Sequence, residues 1–411
     1  MTRFRSENQT RCTLLRGDIV LYIGDKTPER CYFNGKRVSG IYSGEILLWP
    51  PVYTVTVSID PSGAGTVTGA GQYKEGESVT IRAVPGDGYK FTGWRENGTT
   101  VSTNEAYTFT VTGNRTFTAA FEVDIMNFGW TASNCVAVCV CYGNARRFVA
   151  VNGQNAPKYS DDGITWKTSA WGAGASASGS FGICAYGNST YIALAGQYTQ
   201  YSSNGTTWNH VSYTSPNVGK TALSSDGTHF VCYPGYVSTN MFYISDNGKR
   251  WSVFYGSHAK AMYRSGTYGA GKFVAAGYNT ATAFYYIYGS QNTVQTSLPV
   301  SAYWISMTYG AGKFVVIAYN SNHAAYSTDG ITWKGATLPG ALKWTSVAYG
   351  DGKFVAIADG SNKVAYSRDG VSWRFANDVL PGAWSWKNIT YGGNKFVAVG
   401  SNGSAYSTLS S

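Results

Sequence analysis

The sequence predicts an all-β protein with a small N-terminal β segment, a small β repeat domain and a seven-bladed β-propeller. Two observations concern the whole chain of 411 residues. Its 50 glycines and 15% aromatic side chains are typical of many short strands joined by tight turns, and no stretch has sustained helical periodicity. The third observation is a repeat of about forty residues in the C-terminal part, a period typical of propeller blades.

Residues 1–50 are predicted to be an attachment segment. Tyr22-Ile-Gly-Asp and the stretch from Ile41 to Trp49 are two copies of one short strand-turn motif. The motif resembles the N-terminal parts of phage tail and fibre proteins. Because fifty residues can barely bury a core alone, we expect this segment to rest on a partner or on copies of itself.

Residues 51–123 are predicted to form a small β repeat domain. β-branched stretches alternate with turns such as Pro61-Ser-Gly and Pro85-Gly-Asp-Gly. The segment resembles the internalin B-type bacterial surface repeat in four pieces: Gly63-Ala-Gly-Thr-Val, Gly76-Glu-Ser-Val-Thr, Gly88-Tyr-Lys-Phe-Thr-Gly-Trp94 and Tyr107-Thr-Phe-Thr-Val-Thr. The resemblance implies a spacer or adhesive unit of extracellular and virion proteins, with no chemistry of its own.

Residues 124–411 carry the propeller repeat. Its first half, Tyr-Gly-x-Gly-Lys-Phe-Val-Ala in the clearest copies, has an aromatic anchor that recurs every 39 to 43 residues: Phe148, Tyr191, Phe230, Phe273, Phe314, Phe354 and Phe396. Its second half, Tyr-Ser-x-Asp-Gly-x-x-Trp in the clearest copies, contains Asp162, Asp329 and Asp369. Asp or Asn before Gly suits a tight hairpin turn. This half resembles the Asp-box of sialidase-like and photosystem-assembly-factor-like propellers, one residue shorter between Asp and Gly, which implies a structural role for these aspartates.

The last blade lacks its outer strand, because the chain ends soon after Tyr406. The missing strand is predicted at the other end of the domain, in Asn127-Phe-Gly-Trp130-Thr. Pairing there would leave the ring without an open edge, with Trp130 as a buried anchor beside Ala405. A second expectation concerns the cations at one repeat position, which should lie on one face near the Asp-Gly turns, solvated and weakly paired: Arg147, Lys272, Lys313, Lys353 and Lys395.

The residues argue against an enzyme. Residues 123–411 contain no glutamate, so a sialidase-like hydrolase would lack its usual base and a two-carboxylate glycosidase would need two of the aspartates. Six of the ten belong to repeat turns or their equivalents. No Gly-x-Ser-x-Gly, His-Glu-x-x-His or P-loop motif occurs.

No cofactor and no metal are expected. Cys135, Cys139, Cys141 and Cys184 fall on predicted strands without a Cys-x-x-Cys pair, which favours buried thiols over a metal site. The formal charge of +10 is spread without Lys/Arg runs, so no nucleic-acid partner is expected. No membrane insertion and no cleaved signal peptide are expected either, because no apolar segment has the necessary length.

Candidate binding residues come from the links on the face opposite the Asp-Gly turns. Aromatic rings beside Gly, Ser and Asn suit sugar stacking, and five rings do not recur with the repeat: Trp171, Tyr213, Tyr278, Tyr319 and Trp384. Trp304, Trp344 and Trp386 recur five residues before each Tyr-Gly and are interpreted as blade packing.

The resulting hypothesis is a phage virion structural protein (a tail fibre, baseplate or capsid appendage) that presents a propeller for host-surface or protein binding. It would be made in the host cytoplasm and located in the virion, contacting other virion proteins through residues 1–50, as a homo-oligomer. Two alternatives remain: a glycan-binding bacterial surface adhesin and a sialidase-like glycoside hydrolase.

Overall fold

The computed structural model describes the chain as two compact units, residues 1–125 and residues 126–411. The described residues are 52–86, 89–124, 126–143, 146–153, 155–172, 182–195, 198–211, 222–233, 235, 240–257 and 259–408, with six short strands inside residues 1–50. These residues form strands and turns without a helix, which confirms the all-β prediction. No helix in this part of the chain is therefore long and apolar enough to cross a membrane.

The first fifty residues contribute two small sheets. Four strands pair in the order β2-β1-β3-β4, and β5 pairs with β6 as a hairpin. The hairpin coincides with the predicted motif from Ile41 to Trp49, whereas the copy at Tyr22 lies outside the described residues. The strands are β1 Arg3–Ser6, β2 Arg11–Thr13, β3 Cys31–Phe33, β4 Lys36–Arg37, β5 Ile41–Ser43 and β6 Ile46–Trp49.

The repeat domain has two sheets around one core. Strands β13-β10-β8 form one sheet and β12-β11-β14-β7-β9 the other, in which β14 and β7 run parallel. Trp94 and Phe117 are fully buried between them. The strands are β7 Val52–Asp60, β8 Gly65–Thr68, β9 Gly71–Lys74, β10 Ser78–Pro85, β11 Tyr89–Glu96, β12 Thr99–Ser102, β13 Ala106–Thr110 and β14 Arg115–Val123.

The propeller begins with blades 1 to 3. The residues after blade 1 pair with the outer strand of blade 2 through a short parallel strand, β20. The closing strand is β15 Thr131–Ser133. Blade 1 is β16 Cys139–Gly143, β17 Arg147–Val151, β18 Lys158–Ser160 and β19 Lys167–Thr168; β20 Ala170–Trp171 follows. Blade 2 is β21 Ile183–Gly187, β22 Thr190–Ala195, β23 Tyr198–Ser202 and β24 Thr207–His210; blade 3 is β25 Ala222–Ser225, β26 Phe230–Tyr233, β27 Met241–Ser245 and β28 Ser252–Tyr255.

Blades 4 to 7 follow. Blades 4 and 5 share one continuous six-stranded sheet because β31 is both the outer strand of blade 4 and the inner strand of blade 5. With blade 7 completed by β15, the described strands form seven blades. The strands are β29 Tyr263–Gly269, β30 Lys272–Tyr286, β31 Thr293–Gly310, β32 Lys313–Ala318, β33 Ser321–Ser327, β34 Lys334–Leu342, β35 Trp344–Gly350, β36 Lys353–Ala358, β37 Val364–Ser367, β38 Arg374–Phe375, β39 Trp386–Gly392, β40 Lys395–Gly400 and β41 Gly403–Tyr406.

The repeated Tyr-Gly pair has a packing reason. The tyrosine of one blade lies directly against the glycine of the preceding blade. A Cβ added at Gly310 would lie 1.9 Å from Tyr349 Cγ, and one at Gly350 would lie 1.9 Å from Tyr391 Cγ. Only glycine leaves room for this contact between neighbouring inner strands.

We therefore expect Gly310→Ala to destabilise the propeller by about 1–3 kcal/mol, the usual cost of overpacking a core. Gly335→Ala in the same blade is the matched control, because the nearest atom to its added Cβ is 4.0 Å away. Chemical denaturation of both variants measures the difference. Equal stability of the two would contradict the packing account.

Ring closure joins the start of the propeller to its end. Thr131, Ala132 and Ser133 of β15 lie opposite Tyr406, Ala405 and Ser404 of β41. One carboxylate oxygen of Asp378 accepts the N–H groups of Phe128 and Gly129, at 2.8 Å and 2.6 Å. Trp130 is only half-buried, whereas Phe128 is 2% exposed. The predicted closure beside Ala405 is therefore confirmed, whereas the expectation that Trp130 is its buried anchor was wrong, because Phe128 has that place.

Candidate binding face

The Asp-Gly turns are held by the same contacts in each complete copy. In the first, Asp162 Oδ1 accepts the N–H groups of Ile164 and Thr165, both at 2.8 Å. Ser160 Oγ accepts the N–H of Gly163 at 2.8 Å, and that glycine has a φ of +73°. Asp329 and Asp369 make the equivalent bonds. These carboxylates are thus engaged in turn structure, as the sequence predicts.

Burial raises the pKa of Asp162 and of Asp329, but the N–H groups bonded to each carboxylate outweigh it and lower both values to about 2. A carboxyl whose folded pKa is depressed stabilises the fold above its unfolded pKa, near 4, and that stabilisation is lost as pH falls towards 2. The free energy of unfolding should therefore fall between about pH 4 and pH 2.

Replacing Asp162, Asp329 and Asp369 with asparagine should flatten this pH dependence while preserving the fold. Blades 2 and 3 already have Asn204 and Asn247 at the same position, where the amide oxygen accepts the same two turn N–H groups. Denaturant titrations at several pH values test the prediction. An unchanged slope in the triple variant would contradict it.

Two cations of the predicted set reach the turn of the following blade, which is Asp-Gly for Lys395 and Asn-Gly for Arg147. Lys395 Nζ donates to the carbonyl of Asp162 at 2.9 Å. Arg147 donates to the carbonyl of Asn204 at 2.6 Å and also pairs with Asp161. Lys353 differs from the expectation of solvated charge, because its side chain is 2% exposed and its Nζ lies 2.5 Å from Asp351.

The opposite face has a different character. In blades 4 to 7, one residue at the end of the second strand donates its N–H to the inner strand of the same blade. The acceptor is the carbonyl of the residue just before the buried aromatic residue that begins that inner strand. We call these four residues the exit ring: Tyr278, Tyr319, Asp359 and Ser401. Their N–H groups bond to Met262, Tyr303, Lys343 and Ser385 at 2.7, 2.9, 2.8 and 3.1 Å respectively. The backbone is therefore constant while the side chains change.

Blades 4 and 5 make an aromatic and cationic surface on this face. The rings of Tyr278 and Tyr303 lie 4.9 Å apart between centroids. The guanidinium carbon of Arg264 lies 4.1 Å from the centroid of Tyr278. Tyr303 is 43% exposed, and Tyr319 is half-buried with its N–H bonded to Tyr303. We call Arg264, Tyr278, Tyr303 and Tyr319 the tyrosine patch.

Blades 6 and 7 make a polar surface with internal pairing. Asp359 accepts a hydrogen bond from Ser385 Oγ at 2.7 Å and lies 3.4 Å from Lys387 Nζ. The positive charge of Lys387 is thus partly compensated by the carboxylate of Asp359.

The structure does not bring the five predicted binding residues together at one site. Tyr278 and Tyr319 belong to the tyrosine patch, and Tyr213 lies outside the described residues. Trp171 and Trp384 instead make packing contacts. Trp171 lies opposite Trp208 in the pairing of β20 with β24 and packs against a buried cluster. Trp384 stacks on Trp386 with centroids 5.1 Å apart.

Trp171 and Trp384 occupy positions that recur in other blades, although they were interpreted from the sequence as rings outside the repeat. The links before Trp304, Trp344 and Trp386 each contain Leu-Pro, six and five residues earlier: Leu298-Pro, Leu338-Pro and Leu380-Pro. These leucines are buried. Thr337, just before Leu338, bridges in parallel to Ser372, as Ala170 does to Thr207. Trp171 therefore takes the place of Leu338, and Trp384 takes that of Leu342.

Arg264 and Tyr303 were absent from the sequence-based prediction. Tyr303 directly precedes Trp304, and Arg264 directly follows Tyr263, the blade 4 counterpart of that tryptophan. Both residues flank the buried aromatic residue that begins an inner strand, which is a repeated position in the sequence, and this signal could have identified them.

Two buried cysteines connect the inner strands of neighbouring blades. The N–H of Cys184 donates to Cys139 Sγ at 3.3 Å, just as the N–H of Ile389 donates to Ser346 Oγ at 3.1 Å two blades away. Hydrogen bonding from Cys184 lowers the pKa of Cys139, and burial raises that of Cys184. Among the residues that the structure describes, no group of three or more His, Cys, Asp or Glu has a metal-binding arrangement.

Comparison with known proteins supports the two-part architecture. Residues 54–125 match the family model of the divergent InlB B-repeat domain, which confirms the predicted bacterial repeat. A sequence search of curated proteins found no match.

Solved propellers resemble the larger unit at low identity. YCF48 bound to a peptide has a TM-score of 0.56 at 12% identity, covering 70% of this chain and 97% of that one. Virginiamycin B lyase from Staphylococcus aureus has a TM-score of 0.58 at 8% identity, covering 69% and 100%. The extracellular domain of a putative hybrid two component system from B. thetaiotaomicron has a TM-score of 0.55 at 11% identity, covering 69% and 40%. At these identities the likeness establishes the propeller fold and no activity.

Proposed function

We propose that the chain is a structural protein of a phage virion that presents its propeller for binding to a host surface or to another protein. The observation that carries the binding role is the exit ring, where one backbone arrangement supports different side chains in successive blades. Such a face can change its ligand without changing its fold, which is how binding sites are placed on rigid scaffolds.

The order of the segments supports the virion assignment. A short β segment precedes a bacterial-type repeat, and the propeller follows. Under this proposal residues 1–50 attach to other virion proteins, the repeat is a spacer, and the propeller is the distal contact. Under this proposal the chain acts by binding, and the aspartates of the Asp-Gly turns have a structural role because they accept turn N–H groups.

The second candidate is a bacterial surface adhesin, which the match to the InlB B-repeat family favours. Both candidates predict binding by the same propeller face, so they differ only in where the protein is found.

Location decides between the candidates. Virions purified through a density gradient, from the phage or lysogen that carries the coding sequence, should contain the chain at a fixed ratio to a capsid protein. Mass spectrometry and labelling with an antibody to the propeller would measure this. Recovery of the chain with the bacterial envelope, and its absence from virions, would overturn the virion proposal and support the adhesin.

A further inference from the structure

The position of Arg264 is the starting point. Its counterpart in blade 7 is Lys387, which follows Trp386 as Arg264 follows Tyr263, and Lys387 lies 3.4 Å from Asp359. Asp359 belongs to the blade before Lys387, five residues after the aromatic anchor Phe354; the same position in the blade before Arg264, five residues after Phe230, is Gly235, which supplies no carboxylate. No carboxylate of the described residues lies within 4.0 Å of Arg264, so its charge is uncompensated.

The guanidinium of Arg264 is also short of an acceptor. Its Nε is buried and has no hydrogen-bond partner among the described residues, and buried donors are rarely left unpaired in folded proteins. The face of the Tyr278 ring, 4.1 Å from the guanidinium carbon, attracts the cation. It provides no acceptor for the N–H groups that lie in the plane of the guanidinium. Nε itself is out of reach of a ligand, whereas the Arg264 side chain as a whole is half-buried. A carboxylate would therefore bond to the terminal N–H groups of the guanidinium, whose planar geometry allows two parallel N–H bonds.

The tyrosines beside Arg264 have the chemistry that binds the ring of a sugar. Tyr303 is 43% exposed and lies 4.9 Å from Tyr278, so an aromatic surface with phenolic hydroxyls borders the cation. Aromatic rings pack on the C–H faces of a sugar, and their hydroxyls bond to its hydroxyls. Tyr319 lies next to this surface, because its N–H donates to the carbonyl of Tyr303.

We propose that the tyrosine patch binds a uronic acid residue of a polysaccharide, with the sugar carboxylate on Arg264 and the ring against Tyr278 and Tyr303. The proposal deepens the binding role suggested above and rests on that role for its biological setting. The site itself is a property of the propeller, wherever the protein is located.

The test uses the full chain and a purified polyuronate oligosaccharide, with a neutral glucan oligosaccharide of equal length as the comparison. Calorimetry should show the polyuronate binding at least tenfold more tightly than the glucan. Arg264→Gln should abolish that preference, and Arg264→Lys should reduce it because lysine lacks the planar fork. Lys387→Gln removes the same charge from the equivalent position and should leave binding within about twofold.

A sulfated dextran of similar charge density separates the carboxylate site from general attraction to a chain of formal charge +10. If the dextran binds as well as the polyuronate, or if Arg264→Gln and Lys387→Gln have equal effects, the proposal is overturned. Uronate binding by a chain absent from virions would leave this site standing and reject the virion assignment. A chain that is present in virions but shows no preference for the polyuronate in calorimetry would reject this site and leave the virion assignment standing.

Discussion

Replacing Phe128 with alanine should lower the free energy of unfolding of the propeller by about 3–5 kcal/mol, the usual loss for a buried aromatic side chain. Phe128 is 2% exposed, and its ring centroid lies 5.8 Å from that of Phe396 and 6.4 Å from that of Tyr366. It therefore joins blades 6 and 7 at the point where the two ends of the ring meet. Urea denaturation followed by tryptophan fluorescence measures the loss.

Trp130→Ala is the matched comparison, because Trp130 lies two residues away and is only half-buried. Its indole N–H has no hydrogen-bond partner among the described residues, so the substitution breaks no such bond. The loss should be clearly smaller than for Phe128→Ala. A larger loss for Trp130→Ala would restore the original interpretation of Trp130 as the anchor of closure.

The propeller was predictable because its signals are local and repeated. Each Asp-Gly turn is specified by four or five consecutive residues. The number of aromatic anchors in the sequence equals the number of blades. The Tyr-Gly pair was visible as a pattern, although its reason was not: the contact of Gly310 with Tyr349 joins residues of different blades. Closure was predicted for the same reason, since a missing Trp strand at one end matched a spare one at the other.

The candidate site was predicted less well because it depends on pairing across blades. The parallel pairing of Ala170 with Thr207 places Trp171 opposite Trp208. No local sequence pattern predicts this pairing between blades. Tyr278 and Tyr319 were found because they follow an easily recognised strand. Arg264 was missed because an inner-strand arginine looks like one solvated charge until its neighbours are known.

Trp386→Ala should have the second large effect, again about 3–5 kcal/mol. Trp386 is fully buried, and its indole N–H donates to the carbonyl of Gly382 at 3.0 Å. Trp344 makes the equivalent bond to Gly340, also at 3.0 Å. The substitution thus removes a large side chain and leaves a carbonyl acceptor without its donor. Calorimetric or urea unfolding of the full chain would show the loss.

Trp384 provides the sharper comparison, because its role decides whether it belongs to the binding face. Trp384→Ala removes the stack on Trp386, worth about 0.5–1.5 kcal/mol beyond its area, so a moderate loss of stability is expected. Trp384→Leu introduces the residue that blade 6 has at this position, Leu342, and should recover most of that loss. If packing is its role, Trp384→Leu also leaves ligand binding unchanged. A stable Trp384→Leu variant that no longer binds would instead return Trp384 to the binding face.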